Sequence, residues 1–264
     1  MFAQTLCMVR GGGDLATGVI YRLHKAGFPV IVLELAQPRV VRRMASVAQA
    51  MFSGEAQVEG LRARQATLAD AVAMPGSVIP VIADSQGEAI ARLRPAVVID
   101  ARMAKAPLDT KLQAAGLVVG LGPGLVAGEH CHAVVETNRG HDLGRVIWSG
   151  CAQPDTGLPE AVMGHAGERV LRAPEEGPLR SRAQIGDKVR RGDPIACVND
   201  TTLHAPFDGV LRGRLFDGIR VRAGEKVGDI DPRGQLRYCF SISDKALAVG
   251  GGVLEAVLAW LQRR

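Results

Sequence analysis

The sequence has few aromatic residues, no long apolar run and no concentrated block of charge. Trp, Tyr and Phe together make up 4% of its 264 residues, and although the net charge is +5, the arginines are spread along the chain. A nucleic-acid groove is recognised in a sequence by clustered basic residues and stacking aromatics. A membrane-spanning helix needs about 20 apolar residues in a row. We therefore expect neither a nucleic-acid partner nor a membrane partner.

The cysteines of the chain do not form the sequence patterns that are typical of disulfide frameworks or structural metal sites. The five cysteines are scattered and form no C-x-x-C pair, which argues against a disulfide framework and a structural zinc site and for a reducing compartment. The first residues lack the charged start and long apolar middle of a secretory signal. We expect a cytoplasmic globular protein, and the sequence leaves open whether it forms a homo-oligomer.

One short run contains residue types that ligate metals, Glu129-His130-Cys131-His132. Adjacent residues on an extended chain point to opposite faces, so these four make a poor chelate without more distant ligands. We therefore predict that the chain has no metal site.

The chain is organised around a glycine-rich turn near its start. An apolar run, Leu6 to Val9, leads into Arg10 and three glycines, and apolar residues at helical spacing follow at once. Gly11, Gly13 and Ala16 fit G-x-G-x-x-A, in which the first glycine allows a tight turn and the second lets the backbone approach a pyrophosphate. The helix N-terminus then faces the negative charge. A purely structural strand-to-helix turn is the alternative.

A second apolar run, Val30 to Leu33, ends in Glu34. An acidic residue about 20 positions after such a turn accepts the ribose hydroxyls of a dinucleotide. The ligand we predict is NAD(P) or a molybdopterin-type dinucleotide. The predicted binding residues in this part of the chain are Gly11, Gly12, Gly13, Asp14, Leu15 and Glu34.

Further apolar runs alternate with helical patterns, which is typical of a parallel sheet with helices on its faces. A 3.6-residue stripe predicts a helix over 40–52, and buried-type strands are predicted at 78–83, 97–99 and 117–119. The fold class we predict is α/β with a Rossmann-like parallel sheet. Ligands of such sheets bind beyond the carboxyl ends of the strands. Four residues that follow predicted strands therefore join the predicted site: Asp100, Arg102, Gly122 and Gly124.

The stretch from His132 to Trp148 reads as two strands around a polar loop. Either this loop is a plain hairpin connection, or Glu136, Arg139 and His141 supply an acid, an anion clamp and a titratable group. Cys151, which follows the second strand, is a candidate for a reactive thiol. The sequence identifies no catalytic residue beyond the candidates Glu136, His141 and Cys151.

Residues 166–234 are rich in Gly, Asp and Val and carry a loose repeat, in which Ile185 to Ile195 aligns with Ala223 to Ile230. This segment resembles the biotinyl/lipoyl-type barrel, whose carrier members bear an acceptor lysine on a hairpin tip. The corresponding stretch, Val198 to His204, has no lysine, so we expect a docking module that carries neither biotin nor lipoate. The predicted domains are a nucleotide-binding domain at 1–165, the barrel at 166–235, and a strand and helix at 236–264 that complete the first domain.

Five long phrases together resemble one family, the YqeB-type accessory proteins of the selenium-dependent molybdenum hydroxylase system, which are distantly similar to xanthine dehydrogenase accessory proteins. The phrases are residues 10–18, 120–124, 139–147, 228–234 and 242–255. The resemblance implies a maturation factor that binds a nucleotide or molybdopterin-type cofactor. It implies an apo molybdenum hydroxylase, similar to xanthine dehydrogenase, as partner. An NAD(P)-dependent oxidoreductase is the alternative, and the sequence does not decide whether the protein is an enzyme.

Overall fold

The computed structural model describes residues 2–103, 105, 109–157 and 159–263, and the chain divides into two compact units. Unit 1 comprises Met1–Pro38, Ser46–Thr156 and Ile242–Arg264. Unit 2 comprises Arg39–Ala45 and Gly157–Ser241. Segment 39–45, which we predicted within the first domain, thus groups with the second unit.

Unit 1 contains eleven of the strands that the described residues form. They are β1 (Cys7–Arg10), β2 (Val30–Glu34), β3 (Glu55–Val58), β4 (Leu61–Ala66), β5 (Val78–Ala83), β6 (Val97–Asp100), β7 (Leu117–Leu121), β8 (Val126–Ala127), β9 (Ala133–Val135), β10 (Val146–Ile147) and β11 (Gly150–Cys151). Nine of them form one mixed sheet in the order β10-β9-β7-β6-β1-β2-β5-β4-β3. Pairing is parallel except at the edges, where β3 and β10 run antiparallel to their neighbours. β8 and β11 form a separate antiparallel pair.

The helices of unit 1 are α1 (Asp14–Lys25), α2 (Ala50–Ser53), α3 (Leu68–Ala73), α4 (Glu88–Leu93) and α5 (Asp244–Leu261), with 3₁₀ turns at Val47–Gln49 and Leu112–Ala114. The predicted α/β class with a C-terminal helix is confirmed, although the sheet is mixed rather than wholly parallel. Among the described residues, no helix combines the length and the apolar composition needed to cross a membrane.

The two faces of the sheet pack against different helices, because successive strand residues point to opposite sides. Val9 of β1 and Ile99 of β6 lie in one core cluster with residues of α1 and α5. Met8 and Val98, their neighbours in sequence, lie in a second cluster that includes Ala89 of α4. This alternation decides on which face each polar residue at a strand end lies.

Glycines allow α5 to touch α1 at the backbone. A Cβ added at Gly18 would lie 2.2 Å from the carbonyl oxygen of Ala246, and one at Gly250 would lie 2.4 Å from that of Gly18. Gly252 is equally close to the loop before β10, because its Cβ would lie 2.1 Å from the carbonyl oxygen of Gly144. Two of the three consecutive glycines of α5 are therefore packing residues, and the helix runs through them without a break.

Two predicted elements are wrong. Instead of one helix over 40–52, the chain forms 3₁₀ turns at Arg43–Ala45 and Val47–Gln49 and the four-residue α2. Ser46 is extended, with φ −138° and ψ 135°, and interrupts the helical repeat. The strand predicted before the C-terminal helix is replaced by a 3₁₀ turn at Leu236–Cys239. The Tyr238 amide donates to the carbonyl oxygen of Gln235, and the Phe240 amide donates to that of Arg237.

Unit 2 consists of two four-stranded sheets in which every pairing is antiparallel. Its strands are β12 (Val170–Arg172), β13 (Gly177–Ser181), β14 (Lys188–Val189), β15 (Pro194–Val198), β16 (Thr201–His204), β17 (Gly209–Arg214), β18 (Arg220–Val221) and β19 (Lys226–Asp231). The strand orders are β12-β19-β17-β14 and β16-β15-β13-β18. A further 3₁₀ turn lies at Gly167–Arg169.

The hydrogen bonds of unit 2 reveal an internal repeat with an offset of 32 residues. The Gly192 amide donates to Ala205 O and the Ala205 amide to Asp193 O, while the Gly224 amide donates to Ala173 O and the Ala173 amide to Glu225 O. Residue 173 thus corresponds to 205, and residue 192 to 224. The same offset relates β12 to β16 and β13 to β17, so each sheet takes strands from both halves. The predicted repeat is present, but its register is wrong, because we aligned Gly186 with Gly224.

The glycines of α5 offer a matched pair of substitutions. We expect Gly250→Ala to destabilise unit 1 by about 1–3 kcal/mol or more, because its methyl group has no room against the Gly18 carbonyl. Gly251→Ala is the control, since its Cβ would meet no described atom within 4 Å. It should stabilise the helix by up to about 1 kcal/mol. Urea unfolding of both variants measures the difference, and equal stability of the two would contradict the close packing.

Candidate functional site

The strand order places a topological switch point at β1. From β1 the sheet extends on one side through β2 and β5, and on the other side through β6 and β7. Open α/β sheets bind ligands at the carboxyl ends of the strands where the order reverses in this way. The end of β1 is Arg10, which is followed directly by the predicted glycine turn.

The glycine turn packs against the end of β6. Gly11 has φ +97°, which favours glycine, and a Cβ there would lie 3.2 Å from the carbonyl oxygen of Ala101. The Gly12 carbonyl accepts a 3.0 Å bond from the Ala48 amide, so the segment after the extended Ser46 covers the turn. Among the described residues, the Gly13 amide at the start of α1 has no acceptor. This amide is the backbone donor of the turn to which the anion-binding prediction applies.

Glu34 ends β2 on the α1 face, and its carboxylate reaches the glycine turn. Oε2 accepts a 2.7 Å bond from the Gly12 amide and Oε1 a 2.7 Å bond from the Leu35 amide. Burial raises the pKa of Glu34, and the two amide bonds act against that shift. The predicted ribose-binding residue therefore lies beside the turn, where it also holds the Gly12 amide.

A network of four charges lies at the ends of β1 and β6. Arg102 makes a two-pronged ion pair with the buried Asp100, at 2.6 and 3.0 Å, and contacts Asp109 Oδ1 at 2.8 Å. Arg10 makes a second two-pronged pair with Asp109, at 2.8 and 3.0 Å. The Thr110 hydroxyl donates to Asp100 and accepts a 2.9 Å bond from Arg102.

The arginines hold both carboxylates in the charged form. Burial acts to raise the pKa of Asp100, but the hydrogen bonds of Arg102 and Thr110 and the charge of Arg102 outweigh it and keep the pKa below its ordinary value. Desolvation likewise acts to raise the pKa of Asp109, while hydrogen bonds from Arg10 and Arg102 lower it to about 2. Asp100 and Asp109 are therefore both ionised at neutral pH.

The predicted binding residues converge on one edge of the sheet but divide between its two faces. The glycine turn and Glu34 lie on the α1 face. Asp100, like Val98 before it, belongs to the α4 face, where sequence reasoning missed Arg10, Asp109 and Thr110. Successive residues of β1 alternate between the two faces of the sheet, so the position of Arg10 was a signal that its side chain lies on the face opposite α1.

The remaining predicted binding residues have structural contacts. Gly122, with φ +78°, lies between Met103 and Thr137, since its Cβ would be 3.2 Å from Met103 Cε and 3.0 Å from Thr137 Oγ1. Gly124 is buried in the same turn. Leu15 packs against a small core cluster that contains Ile242.

The polar loop between β9 and β10 is held together by Glu136. Its carboxylate oxygens accept 2.7 Å bonds from the amides of Asn138 and Gln153. Arg139, the predicted anion clamp, makes a two-pronged pair with Asp244 in the first turn of α5. His141 is exposed on the loop, and among the described residues no hydrogen bond joins it to Glu136. These observations favour a structural role for Glu136.

The cysteines differ in exposure. Cys151 in β11 is exposed, whereas Cys7, Cys131, Cys197 and Cys239 are buried. Burial raises the pKa of Cys7 to about 12 and that of Cys131 to about 11. Across the described part of the chain, no three His, Cys, Asp or Glu side chains are grouped so that they could hold a metal ion.

The two histidines of the 129–132 run accept hydrogen bonds from backbone amides. Nδ1 of His132 accepts from Val118 at 2.9 Å, and Nδ1 of His130 accepts from Val126 at 3.1 Å. An accepting Nδ1 requires the neutral ring with the proton on Nε2. Burial lowers the pKa of His132, in agreement with a neutral ring.

Comparison with known proteins gives one informative similarity. The chain is 49% identical over 255 residues to a protein of Escherichia coli (strain K12) described as the uncharacterized protein YqeB. The alignment covers 96% of this chain and 47% of that protein, so the chain spans about half the length of the curated relative that it matches. No protein-family profile and no solved structure matches the chain. The similarity supports the resemblance to the YqeB-type proteins.

His132 predicts a pH dependence of stability. Its pKa is lowered in the folded state, so its contribution to stability is present above the unfolded pKa of about 6.5 and is lost as the pH falls from that value through the lower folded pKa. His132→Asn keeps an acceptor close to Nδ1 but cannot titrate. We expect the free energy of unfolding of this variant to fall less than that of the wild type between about pH 7.5 and about pH 5. The exposed His141→Asn is the control, and an unchanged slope in His132→Asn would contradict the assignment.

Proposed function

We propose that unit 1 binds a dinucleotide or a molybdopterin-type nucleotide at the carboxyl ends of β1, β2 and β6, and that the protein serves the maturation of a molybdenum hydroxylase. The observation that carries the proposal is the glycine turn at the topological switch point, in which the Gly13 amide has no acceptor among the described residues. The resemblance to the YqeB-type proteins supplies the biological context. In this proposal the nucleotide is cargo that is handed to the apo-hydroxylase.

The residues beside the turn fit a nucleotide. The Gly13 amide would donate to a phosphate group. Glu34 already accepts two amides, but a carboxylate offers about four lone-pair sites, so it can accept a ribose hydroxyl without releasing Gly12. Arg102 would add a guanidinium at the β6 end of the same edge.

The contacts of Glu136 favour a binding protein over an oxidoreductase. An NAD(P)-dependent oxidoreductase needs a group that exchanges a proton with the substrate, and Glu136 with His141 was the candidate pair. Both oxygens of Glu136 accept backbone amides, and His141 lies on an exposed loop. The delivery of a cofactor needs no such pair.

The repeat in unit 2 supports its assignment as a biotinyl/lipoyl-type barrel. In that fold we expect two similar halves of the chain, each of which contributes strands to both sheets. The hairpin between β15 and β16 turns through Asn199 and Asp200, where a carrier protein would have its acceptor lysine. We therefore propose that unit 2 provides a docking surface for the client enzyme and is not acylated.

The nucleotide proposal predicts a preference between NAD and NADP. We expect the wild type to bind NAD at least about tenfold more tightly than NADP, because the Glu34 carboxylate repels a 2′-phosphate. Glu34→Gln should narrow this difference, while Glu55→Gln, which removes an equal charge from the exposed edge strand β3, should not. Calorimetry with NAD, NADP, FAD and a molybdopterin nucleotide measures the affinities. If none of these ligands binds, the glycine turn is structural only.

The maturation proposal predicts a phenotype. In a strain that lacks this protein, we expect the hydroxylase polypeptide to be present without its complete, active cofactor. Metal and cofactor analysis of the purified hydroxylase measures this. A fully active, cofactor-replete hydroxylase would contradict the proposal, and steady NAD(P)H consumption by the pure protein with a purine or carbonyl substrate would favour the oxidoreductase.

A further inference from the structure

Asp109 occupies a position between two arginines that a ligand anion would also fit. Its Oδ1 lies 3.0 Å from Arg10 Nη1 and 2.8 Å from Arg102 Nη1, and its Oδ2 lies 2.8 Å from Arg10 Nη2. Three charge-assisted hydrogen bonds thus converge on one carboxylate. Asp100 is engaged by Arg102 and Thr110, and among the described residues Asp109 is the carboxylate that forms an ion pair with Arg10.

The members of this network differ sharply in exposure. The Arg10 side chain is 5% exposed and that of Asp100 is 2% exposed, whereas the Asp109 side chain is 48% exposed. Gly87 leaves room for the guanidinium of Arg10, because a Cβ at that position would lie only 3.3 Å from Cζ of the arginine. The arginine is fixed in the fold, and its anionic partner is the solvent-facing member.

A cavity of about 670 Å³ opens beside Arg10 on the α4 face. Its polar lining includes Asp109, Lys111 and Arg94, and Ile90 and Val98 contribute apolar surface. This volume lies within the range of small-molecule sites, about 300–1,000 Å³. If an anion replaced Asp109, the organic part of the same ligand would have room in this cavity.

We propose that Arg10 and Arg102 form a binding site for a phosphate monoester, and that Asp109 is a built-in competitor that occupies this site when no ligand is bound. A phosphate dianion carries more charge than the carboxylate it displaces, and Lys111 lies in the same cavity to balance it. The inference rests on the proposed function, because it assumes that the ligand is phosphorylated. It goes beyond that function by locating a phosphate subsite on the α4 face and by naming Asp109 as the residue that regulates access to it.

The competitor makes a direct prediction about phosphate affinity. Asp109→Asn keeps the shape of the side chain but leaves Arg10 without a carboxylate, so we expect it to bind inorganic phosphate and ribose 5-phosphate at least about tenfold more tightly than the wild type at low salt. Glu88→Gln is the matched control, because it removes one exposed negative charge from α4 outside this network. Calorimetry on the full chain measures the affinities.

A second pair of variants tests whether Arg10 is the binding group. In the Asp109→Asn background, Arg10→Met should abolish the gain, and Arg10→Lys should reduce it because a lysine cannot make the two-pronged contact. If Arg10→Met does not fold, Arg10→Lys decides. An unchanged phosphate affinity in Asp109→Asn, an equal gain in Glu88→Gln or full binding without the Arg10 guanidinium would each overturn the proposal. Acetate binding as tightly as phosphate would overturn the assignment to a phosphate group.

The same titrations separate this inference from the proposed function. A phosphate gain in Asp109→Asn without binding of any dinucleotide or molybdopterin nucleotide would support the subsite and remove the proposed function. Nucleotide binding through Glu34 with no phosphate gain in Asp109→Asn would retain the proposed function and overturn the role of Asp109.

Discussion

The contact between the backbones of α1 and α5 is the constraint on which unit 1 depends. It exists only because Gly18 and Gly250 have no side chains, so neither helix is held apart by a Cβ. The position of α1 in turn fixes the glycine turn that precedes it, and the turn packs on the Ala101 carbonyl at the end of β6. The candidate site near the start of the chain is therefore supported by a helix near residue 250.

The charged residues at this edge follow a second constraint, which is the cost of burying them. Burying a guanidinium without a partner is destabilising, so a nearby anion stabilises Arg10 in the folded protein. The protein meets this need with Asp109, and it meets the need of Asp100 with Arg102. The charges at this edge are thus balanced by pairing the last residues of β1 and β6, Arg10 and Asp100, with two residues of the connection that follows β6, Asp109 and Arg102.

Much of unit 1 could be predicted because its signals are local. The runs at 78–83, 97–99 and 117–119 became strands since each is apolar and bounded by turn residues. The helix predicted at 40–52 failed because Ser46 is extended and the following segment covers the glycine turn, a long-range contact that periodicity does not contain. Asp109 had no local signal at all, since its partner Arg10 lies 99 residues away. The repeat in unit 2 misled us because Gly-Asp or Gly-Glu pairs occur more than once in each half, and only the hydrogen bonds fix the register.

The division of the chain has a consequence for how the protein is made on the ribosome. Unit 2 ends at Ser241, whereas unit 1 lacks α5 until residues 244–261 have been synthesised. Domains fold as they emerge, so unit 2 is the first to be complete, although most of unit 1 is translated before it. During that interval the face of α1 that receives α5 is uncovered, and the nascent sheet depends on its remaining strands and helices. A stop codon just before α5 would leave unit 2 whole and unit 1 open along that face.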